Sequence, residues 1–438
     1  MAKAPSQDAE ILRLALPAFG ALVAEPLFLL ADSAIVSRLG TVPLGGLGIA
    51  SQALTTLVGI SIFLAYGTTA AVARQLGAGH RDEAIRQGID GLWLAAAIGL
   101  AVLAAGWPLA PHIVAAFGGT QGVSHEAVIY LRISLLGAPS MLLVLAGTGV
   151  LRGLQDTRTP LLVAVAANAL NIALNATFVL GLHWGIAGSA AGTVIAQIGS
   201  SAAYLAVVTR GARLAGIGMR PDRQGIRSAA FAGASLVLRT LALQVVLILM
   251  TALAARQSDA AIAAHQIAMR IWNLFVFALD AIAIAAQAIT GRHLGGSDVA
   301  AARAATRRMI AWGAGYGALF SIILLVIRPA LPGLFGVTPQ VRGLLLAVLL
   351  VVILQQPVAG VVFVLDGVLI GAGDQDYLAV AGLVTLAVFV AAATIVVRSG
   401  GGLVALWVAY TAWMVARFAT LTLRTRSSRW LVTGAVRR

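Results

Sequence analysis

The sequence predicts an all-α integral membrane protein with twelve transmembrane helices, arranged as two parallel repeats of six helices each. Three observations predict this fold. The composition is strongly apolar, apolar runs long enough to cross a bilayer recur along the whole chain, and short motifs recur at one fixed offset. Because six spans return the chain to the side where it started, the repeats should be related by a pseudo-twofold axis along the membrane normal.

The composition excludes an ordinary soluble protein. Of the 438 residues, 60% are hydrophobic and only 11% are charged, whereas about 25% are charged in a typical soluble domain. The net charge of +14 does not indicate a nucleic-acid partner, because the basic residues lie in short loops between apolar runs. The chain has no cysteine, which excludes disulfides and thiolate metal sites.

The apolar runs are continuous rather than alternating, so they are helices and not strands of a barrel. The first run is too long for the hydrophobic region of a signal peptide, and we interpret it as a retained first helix. The predicted spans are 11–36, 44–73, 87–109, 125–149, 159–181, 186–209, 228–252, 259–290, 308–327, 341–369, 376–397 and 402–423.

The basic residues predict the orientation. If both termini and the loops from even to odd spans share one side, that side holds 21 of the 30 Lys and Arg residues, the other side holds five, and four lie inside spans. Loops rich in Lys and Arg remain in the cytoplasm. We therefore expect a multi-pass protein of the inner (plasma) membrane with both termini cytoplasmic.

The duplication is visible in matched motifs. GVLRGLQDT at 149–157 matches GVLIGAGDQ at 367–375, and RQLGAG at 74–79 matches RHLGGS at 292–297, so one offset relates both pairs. The predicted domains are a six-helix bundle over 1–209, a cytoplasmic linker over 210–227 and a second six-helix bundle over 228–438. The paired Gly-Asp turns are either hinges or helix ends closed by an acid, and we favour helix ends.

Several segments resemble the multidrug and toxic compound extrusion (MATE) family. They include ADSAIVSRLG at 31–40 and the Asn-rich segment 168–197, while ALDAIAIAAQAITGRHLGG at 278–296 and VLDGVLIGAGD at 364–374 are most similar to the DinF-like branch. The resemblance implies the MATE fold and an antiporter without catalytic activity. It also implies export of organic cations, amphipathic drugs or metabolites by alternating access, driven by inward flow of H⁺ or Na⁺.

Asp32 lies inside the apolar first span. A charge at mid-membrane costs about 3 kcal/mol on insertion scales, so such residues are usually functional. Burial favours the neutral form of a carboxyl group, and Asp32 is predicted to bind the coupling proton. The alternative is a structural hydrogen bond, or a position at the outer end of the helix.

Glu25 and Phe28 share one helix face with Asp32. The resemblance implies that this face lines a cavity, to which Phe28 would contribute, and that an amide is more usual than an acid at the position of Glu25. Glu25 either binds a second proton or cation, or it pairs with an arginine or faces the outer water.

The fifth span carries three asparagines, Asn168, Asn171 and Asn175. We assign Asn168 to the substrate cavity and the other two to the coupling site. Relatives with an acid in this span would have it at Asn175, and an amide cannot release a proton. We hypothesise that Glu25 supplies the missing acid, which favours H⁺ over Na⁺. Thr193 either joins this cluster or packs against a neighbouring helix.

The C-terminal half carries charged and aromatic residues inside its spans. Opposite charges inside a membrane bundle usually pair, which predicts either fixed ion pairs or a network that exchanges partners, and we favour fixed pairs. Arg132 and Arg417 either extend their charged ends towards the membrane surface or pair with Asp280 or Asp366. The expected network is Arg239, Arg270, Asp280 and Asp366, and the aromatic residues that either line a drug cavity or simply pack are Trp272, Phe275 and Phe363.

Competing functions fit the sequence less well. A flippase for lipid-linked precursors, from a related fold, should carry several Arg or Lys residues in its first six spans, and only Arg132 is present there. An intramembrane enzyme would need a nucleophile with a base, or a metal cluster, and the sequence shows neither. We expect no metal and no cofactor besides the coupling ion, a small organic cation or amphipath as substrate, and a monomer in the lipid bilayer.

Overall fold

In the computed structural model, residues 7–436 are described, apart from the side chain of Glu25. Every regular element within this range is helical. The helices are α1 (Gln7–Val36), α2 (Thr41–Ser61), α3 (Phe63–Gly77), α4 (Arg81–Phe117), α5 (Gln121–Leu136), α6 (Ala138–Gly153), α7 (Arg158–Asn175), α8 (Gly185–Leu214), α9 (Arg223–Ala255), α10 (Asp259–Gly295), α11 (Val299–Ile327), α12 (Leu331–Leu334), α13 (Pro339–Gly371), α14 (Gln375–Arg398) and α15 (Leu403–Arg426).

Within the described residues, eleven continuous helical segments are long and apolar enough to cross a membrane. Helices α5 and α6 form a twelfth span that is bent by 53°. The bend falls at Gly137, directly before Ala138 and Pro139, because proline removes a backbone donor and crowds the preceding turn. The prediction of an all-α membrane protein with twelve spans is confirmed.

The helix bounds repeat at the offset seen in the motifs. Helices α2 and α3 together cover Thr41–Gly77, and α10 covers Asp259–Gly295, so both segments have 37 residues. Their starts are related by the same offset as the motifs that begin at 149 and 367. Helices α5 and α6 together cover 121–153, and α13 covers Pro339–Gly371, again at that offset. The two-repeat architecture is therefore present in the helices themselves.

Glycines permit the same close helix contacts in both repeats. A Cβ atom on Gly149 would lie 2.5 Å from the carbonyl oxygen of Ala65, and Gly367 meets the carbonyl oxygen of Ala283 in the same way. Only glycine lets two backbones approach so closely, as in small-xxx-small helix packing. Two further contacts recur at the repeat offset. Gly153 approaches Thr69 in the first repeat as Gly371 approaches Gln287 in the second, and Gly99 approaches Pro139 as Gly317 approaches Pro357.

The described residues form two compact units, one of 16–233 and one of 234–436 with 7–15. In the second unit, α13 packs against α10, α11 and α15, and in the first, α6 packs against α3, α4 and α8. Helix α1 begins in the second unit, where Asp8 accepts two hydrogen bonds of 2.6 Å from Arg308. The bundle boundaries at 209 and 228 remain a prediction.

The segment between α8 and α9 runs from 215 to 222, so it is shorter than the predicted linker. Two side chains of α4 hold it in place. Asp90 accepts a hydrogen bond of 2.9 Å from the backbone N–H of Asp222, and the indole of Trp93 donates one of 2.9 Å to the carbonyl of Met219. This segment is therefore fixed to the unit of residues 16–233.

The two Gly-Asp turns close helix ends. Asp156 accepts hydrogen bonds of 3.0 Å from the backbone N–H groups of Arg158 and Thr159. These groups lie in the first turn of α7, where a backbone N–H has no partner within the helix. Asp374 accepts hydrogen bonds of 2.6 and 3.0 Å from the guanidinium of Arg424. Asp156 therefore caps the start of α7, whereas Asp374 makes no side-chain cap to α14 and is held by its ion pair with Arg424.

Candidate functional site

The candidate site is centred on Asp32 of α1, whose surface is only 2% exposed. Its Oδ1 atom accepts a hydrogen bond of 2.6 Å from Nδ2 of Asn175 and one of 2.8 Å from Oγ of Ser189. Among the described residues, no Lys or Arg forms an ion pair with it. Neutral donors, rather than a cation, therefore hold this carboxylate inside the membrane.

A chain of hydrogen bonds extends from Asp32 through α7 and α8. Nδ2 of Asn175 also donates to Oδ1 of Asn171 at 2.8 Å, and Nδ2 of Asn171 donates to Oγ1 of Thr193 at 3.1 Å. Thr193 donates in turn to the carbonyl of Ser189 at 3.1 Å. The structure thus brings Asp32, Asn171, Asn175 and Thr193 together, as the sequence predicts.

Local helix geometry positions these side chains. Asn171 and Asn175 lie one turn apart and so share a face of α7. Directly after Asn175 the backbone continues as a π-helical turn, Ala176–Gly181, a form that often occurs at functional sites. On α8, Gly192 is needed for close approach, because a Cβ atom there would lie 2.7 Å from Oδ1 of Asn175.

Sequence reasoning missed two members of the site. Ser189 binds Asp32 directly, and its position one helical turn before Thr193 on α8 was a signal that could have found it. Tyr130 of α5 is 3% exposed, and its hydroxyl lies beside Ser189 and Thr193. Nothing in the sequence around Tyr130 separates it from a packing tyrosine.

The three remaining site residues predicted in the N-terminal half are Asn168, Phe28 and Glu25. Nδ2 of Asn168 donates a hydrogen bond of 3.0 Å to the carbonyl of Ala24, which ties α7 to α1 just before Pro26. Phe28 is half-buried. The side chain of Glu25 lies outside the described part of the structure, so its role as a second acid remains a prediction.

In the C-terminal unit, one carboxylate is shared by two arginines. Oδ2 of Asp366 lies 2.8 Å from Nη2 of Arg239 and also binds Nη2 of Arg417. All three side chains are buried. The pairing of Arg239 with Asp366 agrees with the sequence prediction. Arg417 pairs with an acid, which is one of the two roles predicted for it.

Arg270 does not join this network, which corrects the sequence prediction. It is exposed, and within residues 7–436 it forms no ion pair. Successive helical residues are rotated by about 100°, so Arg270 lies on the side of α10 opposite the buried Trp272. Asp280 is half-buried on α10.

The aromatic residues assigned to a drug cavity make contacts within the C-terminal unit. Trp272 is 3% exposed and meets the ring of Tyr410 edge-on at 5.8 Å between centroids. Phe275 meets Phe320 at 4.9 Å, and Phe363 lies 5.8 Å from the guanidinium carbon of Arg417. Their role in a substrate cavity remains a prediction. In the other unit, Arg132 lies over the ring of Trp107 at 4.9 Å.

The chain is similar to known proteins over nearly its full length. The MatE family model matches residues 17–177 and 236–396. The chain is 30% identical to DNA damage-inducible protein F of Escherichia coli (strain K12), with 96% of this chain and 92% of that protein covered. It is also 30% identical to Protein DETOXIFICATION 44, chloroplastic, of Arabidopsis thaliana, with 96% and 83% covered.

Solved structures share the fold. A MOP superfamily transporter from Pyrococcus furiosus, described as having a binding pocket of reverse polarity, superimposes with a TM-score of 0.87 at 22% identity, covering 97% of both chains. An outward-facing multidrug resistance MATE transporter of the same superfamily gives a TM-score of 0.86 at 22% identity, with 97% of both chains covered.

Proposed function

The chain belongs to the MATE family of multidrug efflux transporters, in its DinF-like branch, and from that premise we propose that it is a proton-coupled antiporter. It exports organic cations, amphipathic drugs or metabolites by alternating access, and protons flow inward in exchange. The single observation that carries this proposal is the buried carboxylate of Asp32, held by neutral donors in a network that joins α1, α7 and α8.

The donors around Asp32 favour a proton over Na⁺ as the coupling ion. A sodium ion is a hard cation and needs several oxygen ligands. Asn175 and Ser189 instead turn an N–H and an O–H towards Asp32, and the amide oxygen of Asn171 is already engaged with Asn175. Such an arrangement suits a carboxyl group that gains and loses a proton.

Protonation of Asp32 changes the strength of the contacts between helices. Both described donors bind Oδ1, so a proton can sit on Oδ2 while Asn175 and Ser189 keep their positions. Hydrogen bonds to an ionised carboxylate are about twice as strong as those to a neutral group. Loss of the charge therefore weakens the tie from α1 to α7 and α8, and the arrival of a proton can release cargo held by the ionised form.

The protein acts as a monomer in the inner membrane, with both termini in the cytoplasm. The asymmetric distribution of Lys and Arg supports this orientation. A bacterial relative, DNA damage-inducible protein F, supports a bacterial membrane. The substrate enters from the cytoplasm or the inner leaflet.

Uptake of an organic cation dye into everted vesicles tests the proposal. A pH gradient or a Na⁺ gradient is imposed separately on vesicles containing the wild type, Asp32→Asn or Asp259→Asn. Asp259 is an exposed acid at the start of α10 and controls for the loss of one carboxylate. We expect uptake with the pH gradient alone, in the wild type and Asp259→Asn but not in Asp32→Asn. Uphill dye transport by Asp32→Asn at the wild-type rate would overturn the proposal.

A further inference from the structure

Arg132 of α5 lies over the ring of Trp107 of α4, with its guanidinium carbon 4.9 Å from the centre of the ring. Arg132 lies about 16 Å along α5 from the start of that helix at Gln121, and Trp107 lies about 15 Å from the end of α4 at Phe117. Only residues 118–120 join the two helices. The two side chains therefore lie at similar depths below the same face of the membrane.

Arg132 has no counter-charge in the described part of the chain. It forms no ion pair there, and its Nε atom is buried without a hydrogen-bond partner. Glu126 is the only acid of α5. It packs against α2, where its Cβ lies 2.6 Å from the position that a Cβ on Gly46 would take. Since arginine cannot lose its proton, a permanent positive charge lies within a span beside an aromatic ring and no acid.

The second repeat has leucines at the equivalent positions. The offset that relates α4 to α11, and α5 with α6 to α13, pairs Trp107 with Leu325 and Arg132 with Leu350. Leu325 is 52% exposed and Leu350 is 41% exposed, while Trp107 is 46% exposed. Exposed leucines in a span suit contact with hydrocarbon. The packing of these helices therefore does not require an arginine and a tryptophan, and the first repeat adds a charge where the second is apolar.

The direction of α5 turns the side chain of Arg132 towards a membrane surface. Cα–Cβ bonds in a helix tilt towards its N terminus, which for this helix is the end at Gln121. Arginine side chains inside spans extend in this way to bring their charge to the phospholipid headgroups. Tryptophan is also enriched at the level of the headgroups.

A phospholipid phosphate supplies what Arg132 lacks. A guanidinium group is a planar fork of N–H donors whose geometry matches a pair of phosphate oxygens. An aromatic ring binds the face of that fork and leaves donors at its edges. The phosphate charge balances the arginine, and a headgroup without an ammonium group brings no second positive charge to the site.

We propose that Arg132 and Trp107 bind the phosphate of an anionic phospholipid, with phosphatidylglycerol as the occupant. Arg132 donates hydrogen bonds to the phosphate oxygens, and Trp107 holds the guanidinium and contacts the upper part of an acyl chain. Asp32 takes no part in this site, so lipid binding does not depend on proton coupling. With both termini in the cytoplasm, as proposed above, the lipid belongs to the outer leaflet.

Trp107 is a local reporter for the test, because bromine atoms on an acyl chain quench indole fluorescence on contact. The purified full-length protein in detergent micelles is titrated with dibrominated phosphatidylglycerol or dibrominated phosphatidylcholine, and subtraction of the Trp107→Phe signal isolates Trp107. We expect half-maximal quenching at about fivefold less phosphatidylglycerol, the preference that one arginine near a membrane surface confers. Equal quenching by the two lipids would overturn the proposal.

Inorganic phosphate distinguishes a lipid site from a site for free anions. At constant ionic strength it should leave the quench by phosphatidylglycerol unchanged, because the bound lipid is also held by its acyl chains. Displacement of the lipid by inorganic phosphate would indicate a water-facing anion site and contradict the assignment.

A charge variant then locates the lipid. In Arg132→Gln the preference for phosphatidylglycerol at Trp107 should disappear. Arg270→Gln is the matched control, since Arg270 is an exposed arginine inside a span of the other unit and forms no ion pair among residues 7–436. A preference that survives in Arg132→Gln, or that Arg270→Gln removes, would contradict the assignment.

The second repeat allows the site to be rebuilt. Leu325→Trp combined with Leu350→Arg, in a Trp107→Phe background, should add an indole signal that phosphatidylglycerol quenches about fivefold more readily. Leu325→Trp without Leu350→Arg should be quenched equally by both lipids. Equal quenching in the double substitution would show that an arginine over a tryptophan at this depth does not select the lipid.

Discussion

Asn175 donates a hydrogen bond of 2.6 Å to Asp32, although 143 residues separate them in the sequence. The contact links α7 to α1 at a carboxylate that has no cationic partner among the described residues. Both side chains are almost fully buried. The strength of this one bond should therefore affect how readily Asp32 exchanges its proton.

Replacement of Asn175 by alanine should slow proton-driven dye transport by about 10- to 150-fold, since a hydrogen bond to a charged group contributes about 1.5–3 kcal/mol. Dye uptake into everted vesicles measures the rate. Thr177→Ala is the control, because the exposed side chain of Thr177 donates its hydrogen bond to the backbone carbonyl of Ala173, four residues earlier. A wild-type rate in Asn175→Ala would show that the bond does not matter to coupling.

Glu25→Gln should impair coupling nearly as much as Asp32→Asn, if Glu25 supplies the acid that Asn175 lacks. The number of protons taken up per dye molecule measures this. Addition of Asn175→Asp to Glu25→Gln should restore a second carboxyl group and recover transport. If Glu25→Gln transports fully, the hypothesis of a second acid at that position is wrong.

Replacement of the two buried aspartates, Asp366 and Asp32, should affect the stability of the protein to different extents. Asp366→Asn removes the buried carboxylate that binds both Arg239 and Arg417, and breaking such a buried ion pair costs about 3–5 kcal/mol. Asp32→Asn removes a carboxylate held by neutral donors, and the amide can keep a hydrogen bond to Ser189. Thermal unfolding in detergent should show a large fall in Tm for Asp366→Asn and little or none for Asp32→Asn. Equal falls would contradict this account of the two sites.

The fold could be predicted almost entirely from the sequence, because a bilayer leaves the backbone few choices. Each span needs its own apolar run, and the offset between the paired motifs recurs in the helix starts at 41 and 259. The break at Ile62 and the bend between α5 and α6 were not predicted. Both are local departures inside runs whose hydropathy does not change.

The site could be predicted only in part, because helix faces are hard to distinguish in a chain that is apolar all round. Asp32, Asn171 and Asn175 were visible as polar residues inside spans. Arg270 was visible in the same way, yet it lies on an exposed face. Tyr130 comes from a different helix, so its place beside Ser189 depends on tertiary packing.

A substitution at the duplicated glycines should damage both units alike. In Gly149→Ala or Gly367→Ala, the new methyl group meets the backbone carbonyl of Ala65 or Ala283, and rotation of a side chain cannot relieve the clash. Overpacking of this kind costs about 1–3 kcal/mol. Thermal unfolding and size-exclusion chromatography of the purified variants should show a lower Tm and a smaller monodisperse fraction.

Gly315→Ala is the control for these variants, because nothing lies within 4 Å of a Cβ atom at that position of α11. It should be neutral or slightly stabilising, since alanine favours a helix over glycine by about 1 kcal/mol. If Gly149→Ala and Gly367→Ala behave like Gly315→Ala, the helices must be able to separate at these contacts without loss of stability. The repeated close approach would then not be what holds α6 against α3 and α13 against α10.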